Sequence, residues 1–193
     1  MIIRRVVTGH DEAGRTVVVS DGPAPRSHDF VHVPGMASTM VWATPGGSVA
    51  VEQDPTPSVR CQVPAPDGTC FVIVTFPPDS VLASPSFDAA AAEAEHRFAS
   101  PGIAERFEPD NPGMHVTPTV DYVIVLDGEI WLDLGDGAPV RLGAGDTVIQ
   151  NATRHAWRNL SDSPATLASV QVGVVTPPVV LPPLDCPYTL RAW

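Results

Sequence analysis

Short runs of apolar and β-branched residues, separated by turns rich in glycine and proline, recur along most of the chain. In the second half these runs occupy residues 121–126, 129–134, 139–142, 147–150 and 165–175. Within residues 129–134, apolar and polar side chains alternate, which is the period of a strand with one apolar face. Many short strands at close spacing, joined by glycine-rich turns, predict an all-β sandwich or barrel.

The dipeptide Asp127-Gly128 joins the first two of these runs. This pair of residues is typical of a tight hairpin turn, whose backbone needs positive φ angles. We therefore expect residues 129–134 to return alongside residues 121–126 as their hairpin partner.

The first half of the chain carries weaker strand signals. Residues 2–7 and 16–20 are β-branched and predict a pair of strands. Residues 69–76 are strongly apolar and stop at two prolines, which predicts a buried strand. Shorter apolar pieces at residues 39–43 and 48–52 predict edge strands.

One helix is predicted, over residues 86–99. The segment is rich in alanine, places Glu93 four residues before Arg97, and stops at Pro101-Gly102. His96 is either a solvated residue of this helix or part of a lid over a pocket. The apolar side of the helix, which we expect to pack on a sheet, contains Phe87, Ala91, Ala94 and Phe98.

Composition limits the number of domains and the kinds of partner. The chain has 193 residues with 44% hydrophobic content, which predicts one domain with a real core. A net charge of -11 disfavours nucleic acid and anionic membrane surfaces as partners. All 11 basic residues are arginine, so no lysine can form a Schiff base or bind phosphate in a P-loop.

The cysteines and the first residues of the sequence bear on the expected cellular compartment of the protein. Cys61, Cys70 and Cys186 are odd in number and irregularly spaced, which predicts neither a disulfide framework nor a thiolate zinc site. The first residues lack the apolar stretch of a signal peptide, and no run approaches the roughly 20 apolar residues of a membrane helix. We expect a soluble cytoplasmic protein, and the bias toward Ala, Pro, Gly and Arg suggests a bacterial source.

Residues 113–159 hold the candidate chemistry. His115 and Thr117 are two apart and project from one face of a strand, and Asp121 begins the next strand. His155 lies on a later strand. Two imidazoles and one carboxylate leave open positions on a divalent ion, an arrangement that suits non-heme Fe(II) and is acceptable to Zn(II). The predicted metal ligands are therefore His115, Asp121 and His155.

The same stretch resembles the two motifs of the cupin superfamily. The first motif matches at His115, Thr117, Asp121 and Gly128, and the second at Gly145, Asn151, Thr153, His155 and Asn159. Thr117 stands where the family has a second histidine, and Asp121 replaces a glutamate. The resemblance implies a jelly-roll barrel, or double-stranded β-helix.

The resemblance also divides the single domain of residues 1–193 into three parts. Residues 107–175 would form the cupin core and residues 1–106 an extension with added strands and the helix. Residues 176–193 would form a proline-rich tail. Cupin-like folds commonly pair through edge strands, so we expect a homodimer.

Several residues are predicted to surround a small organic substrate, which we expect to be aromatic, polyketide-like or a carboxylate. His155, Thr117 and Tyr122 are the catalytic candidates, although Tyr122 would need a β-bulge to face the site. The predicted substrate pocket contains Trp131, Trp157, Arg141 and Asn159.

These residues predict two alternative functions. The first is a metal-dependent cupin enzyme that uses Fe(II), Zn(II), Mn(II) or Ni(II), with dioxygenase activity favoured over lyase, cyclase, decarboxylase or isomerase activity. The second is a metal-free cupin that binds a small molecule without turnover.

Overall fold

A computed structural model describes residues 2–47 and 53–175. The predicted edge strand at residues 48–52 and the proline-rich tail lie outside these ranges. Within them the chain forms strands and one α-helix in the order β1 Arg4–His10, β2 Thr16–Pro23, β3 Arg26–Asp29, β4 Ala37–Thr44, β5 Thr69–Phe76, α1 Ala89–Ala99, β6 Thr119–Asp127, β7 Glu129–Asp133, β8 Val140–Gly143, β9 Thr147–Asn151, β10 Ala156–Arg158 and β11 Ala165–Gly173.

Two antiparallel sheets enclose the core of the protein. The large sheet has the order β3-β4-β5-β11-β6-β9 and the small sheet the order β10-β7-β8. Apolar side chains from both sheets meet between them and exclude water. This core contains Val123, Val125, Ala165 and Leu167 from the large sheet and Ile130, Leu132 and Leu142 from the small sheet. The all-β jelly-roll fold predicted from the sequence is confirmed.

The predicted hairpin at Asp127-Gly128 is wrong. β6 pairs with β9 and β11, whereas β7 pairs with β8 and β10, so the chain changes sheets at this turn. Gly128 has a φ of 75°, and a Cβ there would collide with the carbonyl oxygen of Pro164. Glycine is required at this corner because of both the backbone conformation and the close approach of the chain.

The N-terminal strands form a separate antiparallel pair, as predicted. The pair packs through Ile3 against the outer face of the large sheet, where Val41, Ile73 and Ala168 lie. Arg5 donates a 2.9 Å hydrogen bond to the carbonyl oxygen of Val41. The buried strand at residues 69–76 is confirmed as β5. A strand is also present at residues 39–43, within β4, but its predicted edge position is wrong because β4 lies between β3 and β5 in the large sheet.

The helix is confirmed, but the predicted buried side is wrong. α1 begins after Asp88, whose carboxylate accepts a 3.0 Å hydrogen bond from the Ala91 amide. Its inward side carries Ala92, Glu95 and His96, while Phe98 is 77% exposed.

A polar anchor explains this orientation of the helix. The Glu95 carboxylate accepts hydrogen bonds from the backbone amides of Val31 at 2.8 Å and His32 at 2.7 Å, and its Oε1 lies 2.9 Å from Nε2 of His28. A carboxylate that is largely shielded from water needs such partners, and these contacts hold the Glu95 side of α1 against residues 28–32. In the described ranges, no helix has the length and apolar character needed to cross a membrane.

We expect the change Ile130→Ala to lower the free energy of unfolding by about 2–4 kcal/mol, because it removes buried methyl groups and leaves a cavity. Ile130 is fully buried between the sheets, whereas Ile2 is 86% exposed. The matched control Ile2→Ala should change stability by less than about 0.5 kcal/mol. Urea unfolding of the two variants measures this difference, and equal losses would contradict the placement of the core.

Candidate functional site

The interior of the barrel has an apolar part and a polar part. The packed side chains between the two sheets fill the apolar part. The polar part is lined by inward side chains, nearly all of them buried, from β6, β9, β11 and the segments around residues 115 and 155. These side chains are His115, Thr117, Thr119, Asp121, Gln150, His155 and Gln171.

His115 and His155 are directly opposite each other. Their backbones form an antiparallel bridge, with hydrogen bonds of 2.9 Å from the His115 amide and 3.0 Å from the His155 amide. The centroids of the two imidazole rings are 4.5 Å apart. The structure thus brings together two site residues that are 40 positions apart in the sequence.

The backbone fixes the tautomer of both rings. Nδ1 of His115 lies 2.9 Å from the carbonyl oxygen of Gly113, and Nδ1 of His155 lies 2.9 Å from that of Thr153. A carbonyl oxygen only accepts, so each Nδ1 carries the hydrogen and donates it. In a neutral ring the lone pair is then on Nε2, to which no described residue donates a hydrogen bond.

Burial keeps both rings neutral. Loss of hydration lowers the pKa of His115, and the nearby positive charge of Arg106 lowers it further. Burial also lowers the pKa of His155, with a further contribution from His115, to about 4. Two neutral imidazoles, each with an uncommitted Nε2, can accept a proton or bind an electrophile at neutral pH.

Asp121 lies on the inner face of β6, opposite Gln150 on β9 and Gln171 on β11. Burial raises the pKa of its carboxyl group to about 6, although hydrogen bonds from Thr119 and Gln171 favour the ionised form. Its Oδ1 atom is buried and has no hydrogen-bond partner in the described part of the chain. Asp121 is therefore a buried acid with unused hydrogen-bonding capacity.

The donor groups only partly fit a metal ion. The two imidazoles have the tautomer that a metal needs. Within residues 2–47 and 53–175, however, no three side chains of His, Cys, Asp or Glu lie close enough to share one ion. The structure leaves Asp121 outside the histidine pair, so the described residues do not fit the predicted three-ligand centre.

Thr117 faces the interior, as expected from its spacing with His115. Its hydroxyl lies 2.7 Å from the hydroxyl of Thr119, and the Thr119 side chain in turn hydrogen-bonds Asp121. Thr117 therefore belongs to a chain of polar groups that leads to the buried carboxyl group.

Tyr122 does not face the site. It is 52% exposed on the outer face of the large sheet, opposite Val170 and Ile149. The pairing of β6 is regular at this point, so the bulge that would turn Tyr122 inward is absent from this strand. A catalytic role for Tyr122 is therefore not supported.

The predicted pocket residues separate into two groups. Trp157 faces the interior, where it packs against the apolar core with its ring 6.0 Å from that of His155. Trp131 and Arg141 pair with each other on the opposite face of the small sheet, away from Ile130. Arg141 forms an ion pair there with Glu129. The strand alternation places Trp131 and Arg141 outside the site.

Asn159 has a structural role in place of the predicted contact with substrate. Its amide nitrogen donates to the carbonyl oxygens of Phe76 at 3.1 Å and Ser163 at 2.8 Å. Its side-chain oxygen accepts from the backbone and the hydroxyl of Ser161. These bonds use the whole amide group, and they fix the turn before β11 to the end of β5.

Gln150 and Gln171 line the polar part but were missed from the sequence. Each occupies an inward position of a strand whose other inward residues are mainly apolar. A glutamine at an inward position of an otherwise apolar strand face is the sequence signal that could have indicated their place in the interior. Phe107 was also missed, and its ring lies 5.6 Å from that of His115.

The model of the family described as "Cupin domain" matches residues 104–171. This segment, about a third of the chain, is a cupin domain. The matched segment contains both histidines of the pair and all three residues of the row Gln150, Asp121 and Gln171.

Curated relatives match part of this cupin domain. The Phomopsin biosynthesis cluster proteins C' and D of Diaporthe leptostromiformis are each 50% identical over 48 residues, which is 25% of this chain and 25% of each relative. The Oryzines biosynthesis cluster protein J of Aspergillus oryzae is 36% identical over 64 residues, 31% of this chain and 36% of the relative. The chain thus spans between a quarter and about a third of the length of these relatives. They are fungal, so the bacterial source is not confirmed.

Solved structures resemble this cupin more distantly. A putative ethanolamine utilization protein Q of Salmonella typhimurium has 9% identity and a TM-score of 0.39, covering 90% of this chain and 98% of that one. A sugar phosphate isomerase of the cupin superfamily from Silicibacter pomeroyi has 14% identity and a TM-score of 0.39, covering 73% and 61%.

We expect His155 to make stability depend on pH. Its pKa is lowered to about 4 in the folded protein, whereas the unfolded chain takes up this proton near 6.5. The contribution is therefore fully present above pH 6.5 and is lost as the pH falls toward 4, by roughly 3 kcal/mol. Urea unfolding between pH 7.5 and pH 4 measures this loss.

Asp121 changes the free energy of unfolding in the opposite direction over part of this pH range. Its raised pKa means that the folded protein binds a proton near pH 6, before the unfolded chain does, which favours folding as the pH falls. His155→Gln should therefore flatten the acid loss, and Asp121→Asn should steepen it. His10→Gln, at an exposed position, is the control, and identical pH profiles for wild type and His155→Gln would contradict the assignment.

Proposed function

We propose that this cupin is an enzyme that moves a proton on a small organic molecule, with the histidine pair His115 and His155 as the reacting groups. Its reaction would be of the lyase, cyclase or isomerase type. The observation that carries the proposal is the bridge that holds two neutral imidazoles side by side, with ring planes inclined at 48° and with no hydrogen bond to either Nε2 from the described residues.

The environment suits proton transfer. A general base at neutral pH must be unprotonated before the reaction, and burial ensures this for both rings. When one Nε2 takes a proton from the substrate, the ring becomes an imidazolium that can return the proton at another atom. Trp157 packs beside His155 and supplies an apolar wall for the substrate.

The relatives give modest support to a small-molecule substrate. Their names associate them with the biosynthesis of phomopsin and of oryzines, which supports a biosynthetic role for this chain. Because the matches span a quarter to about a third of those proteins, the names do not specify a reaction for this chain.

Hydrogen–deuterium exchange tests the proposal without knowledge of the product. A panel of small carbonyl compounds with acidic C–H bonds is incubated with the protein in D2O, and NMR follows the loss of each C–H signal. We expect exchange of at least one compound, slowed about 10²–10⁴-fold in His155→Gln and in His115→Gln because the base is removed.

His10→Gln is the matched control, since His10 is exposed and distant in sequence from the motifs. It should exchange at the wild-type rate. A compound that binds at the histidine pair but exchanges only at the background rate of buffer would count against proton transfer.

A metal-dependent enzyme is the second candidate, with the Fe(II) dioxygenase predicted from the sequence as its leading form. The free Nε2 atoms of His115 and His155 favour it, because both are available as metal ligands. Metal analysis of protein purified without an affinity tag separates the candidates. Less than about a tenth of an equivalent of any transition metal, unchanged in His115→Ala, would exclude this candidate, whereas a full equivalent lost in that variant would replace the first proposal.

We also propose that the protein forms a homodimer through β9, which lies at one edge of the large sheet. The outer face beside this edge is apolar and exposed, and it contains Tyr122, Ile124, Leu126 and Ile149. Contiguous exposed apolar residues of this kind are typical of an interface.

Light scattering should give twice the chain mass of 20.4 kDa for the wild type. Ile149→Glu should give the monomer mass, because it places a charge in the apolar face. Leu160→Glu changes an exposed leucine outside this face and should remain dimeric. A monomeric wild type would contradict the proposal.

A further inference from the structure

Three polar side chains form a row across the inner face of the large sheet. Gln150 on β9, Asp121 on β6 and Gln171 on β11 are direct cross-strand partners. All three are at most 5% exposed. Directly opposite residues have Cβ atoms about 5 Å apart, so the ends of these side chains lie within reach of one small group.

Each member of the row has one polar atom without a hydrogen-bond partner among residues 2–47 and 53–175. These atoms are Oδ1 of Asp121, Oε1 of Gln171 and Nε2 of Gln150. Buried polar groups in folded proteins are nearly always paired, and an unpaired one calls for an absent ligand or water. Three in one row point to a common missing partner.

Other polar atoms of these side chains already have hydrogen-bond partners, and this determines which groups a ligand must supply. Oε1 of Gln150 accepts a hydrogen bond from the Thr153 hydroxyl, and Asp121 is hydrogen-bonded by Thr119 and Gln171. The unused capacity is therefore two acceptors and one donor. A complementary ligand donates two hydrogen bonds, to Asp121 and Gln171, and has one oxygen that accepts a hydrogen bond from Gln150.

The row is connected to the histidine pair. Thr153, which donates to Gln150, also accepts the Nδ1 hydrogen of His155 through its carbonyl oxygen. On the other strand, the hydroxyls of Thr117 and Thr119 connect Asp121 toward His115. The row and the histidine pair are therefore connected through Thr153 within the polar part of the barrel.

We propose that Gln150, Asp121 and Gln171 form a recognition subsite for a primary carboxamide, whose two N–H groups and carbonyl oxygen match the unused atoms. This subsite rests on the proposed function, because it names the class of substrate that the histidine pair acts on. A carboxylate is excluded from the same position, since its oxygens would face those of Asp121 and Gln171 and no cation lies in the row.

Entry of the ligand requires a local rearrangement. The three atoms are shielded from solvent, so the side chain of Gln150 or Gln171 rotates when the carboxamide binds. Both are unbranched side chains with several rotatable bonds, which makes this rotation possible without movement of the strands.

Benzamide and benzoate are suitable probes because they share one shape and differ in the group that the row would bind. NMR at pH 7.5 follows the side-chain amide signals of Gln150 and Gln171 and the ring signals of His115 and His155 during titration. We expect benzamide to shift both sets of signals and to bind at least tenfold more tightly than benzoate.

Gln171→Met keeps the size of the side chain and removes the acceptor. It should weaken benzamide binding at least about tenfold, because it removes the acceptor for the ligand and also the hydrogen bond that Gln171 gives to Asp121. Gln62→Met is the matched control, because Gln62 is buried outside the barrel interior, and it should bind as the wild type does.

Three results would overturn the subsite. The first is benzoate binding as tightly as benzamide, and the second is unchanged affinity in Gln171→Met. The third is a crystal structure grown with saturating benzamide in which water alone bridges the row.

The outcomes also separate the subsite from the proton-transfer function. If benzamide shifts the histidine signals equally well in Gln171→Met, a ligand site at the histidine pair stands and the subsite is wrong. If benzamide binding depends on Gln171 while no compound undergoes exchange, the subsite stands and the proton-transfer function is wrong.

Discussion

The register of β6 with its two neighbours is the constraint on which the site depends. It places Asp121 opposite Gln150 on one side and Gln171 on the other. Successive side chains of a strand point to opposite faces, so a shift of β6 by one residue would turn Asp121 out of the barrel and Tyr122 into it. The apolar contacts of Val123 and Val125 with the small sheet oppose such a shift. The same alternation therefore stabilises the core and orients the chemistry.

The polar row carries an energetic cost that the apolar core offsets. Each buried polar atom without a partner costs about 1–3 kcal/mol. Residues such as Ile130 and Val125 are fully shielded between the sheets and stabilise the fold by comparable amounts each. The barrel is thus divided between a part that holds the fold together and a part whose polar groups are available for binding.

Much of the fold and some of the site follow from the sequence. The boundaries of β5 were predicted in full because two prolines end an apolar run, and His115 and His155 were predicted as a pair from their motifs. The hairpin at Gly128 failed because a tight turn does not determine whether the next strand stays in the same sheet. The helix orientation failed because Glu95 binds a loop more than 60 residues away. Such contacts depend on tertiary structure, which local patterns do not contain.

The hydrogen bonds of the two imidazoles have a consequence for the path of protons. An imidazole relays a proton only when one nitrogen receives it and the other passes its own to a base. Here both Nδ1 atoms donate to backbone carbonyl oxygens, which are too weakly basic to keep a proton. Protons therefore enter and leave each ring on the same side, the side of Nε2. For the proposed function, this means that a proton taken up at Nε2 returns to the bound molecule or exchanges with water on the same side of the ring, and does not pass through the ring to the protein surface.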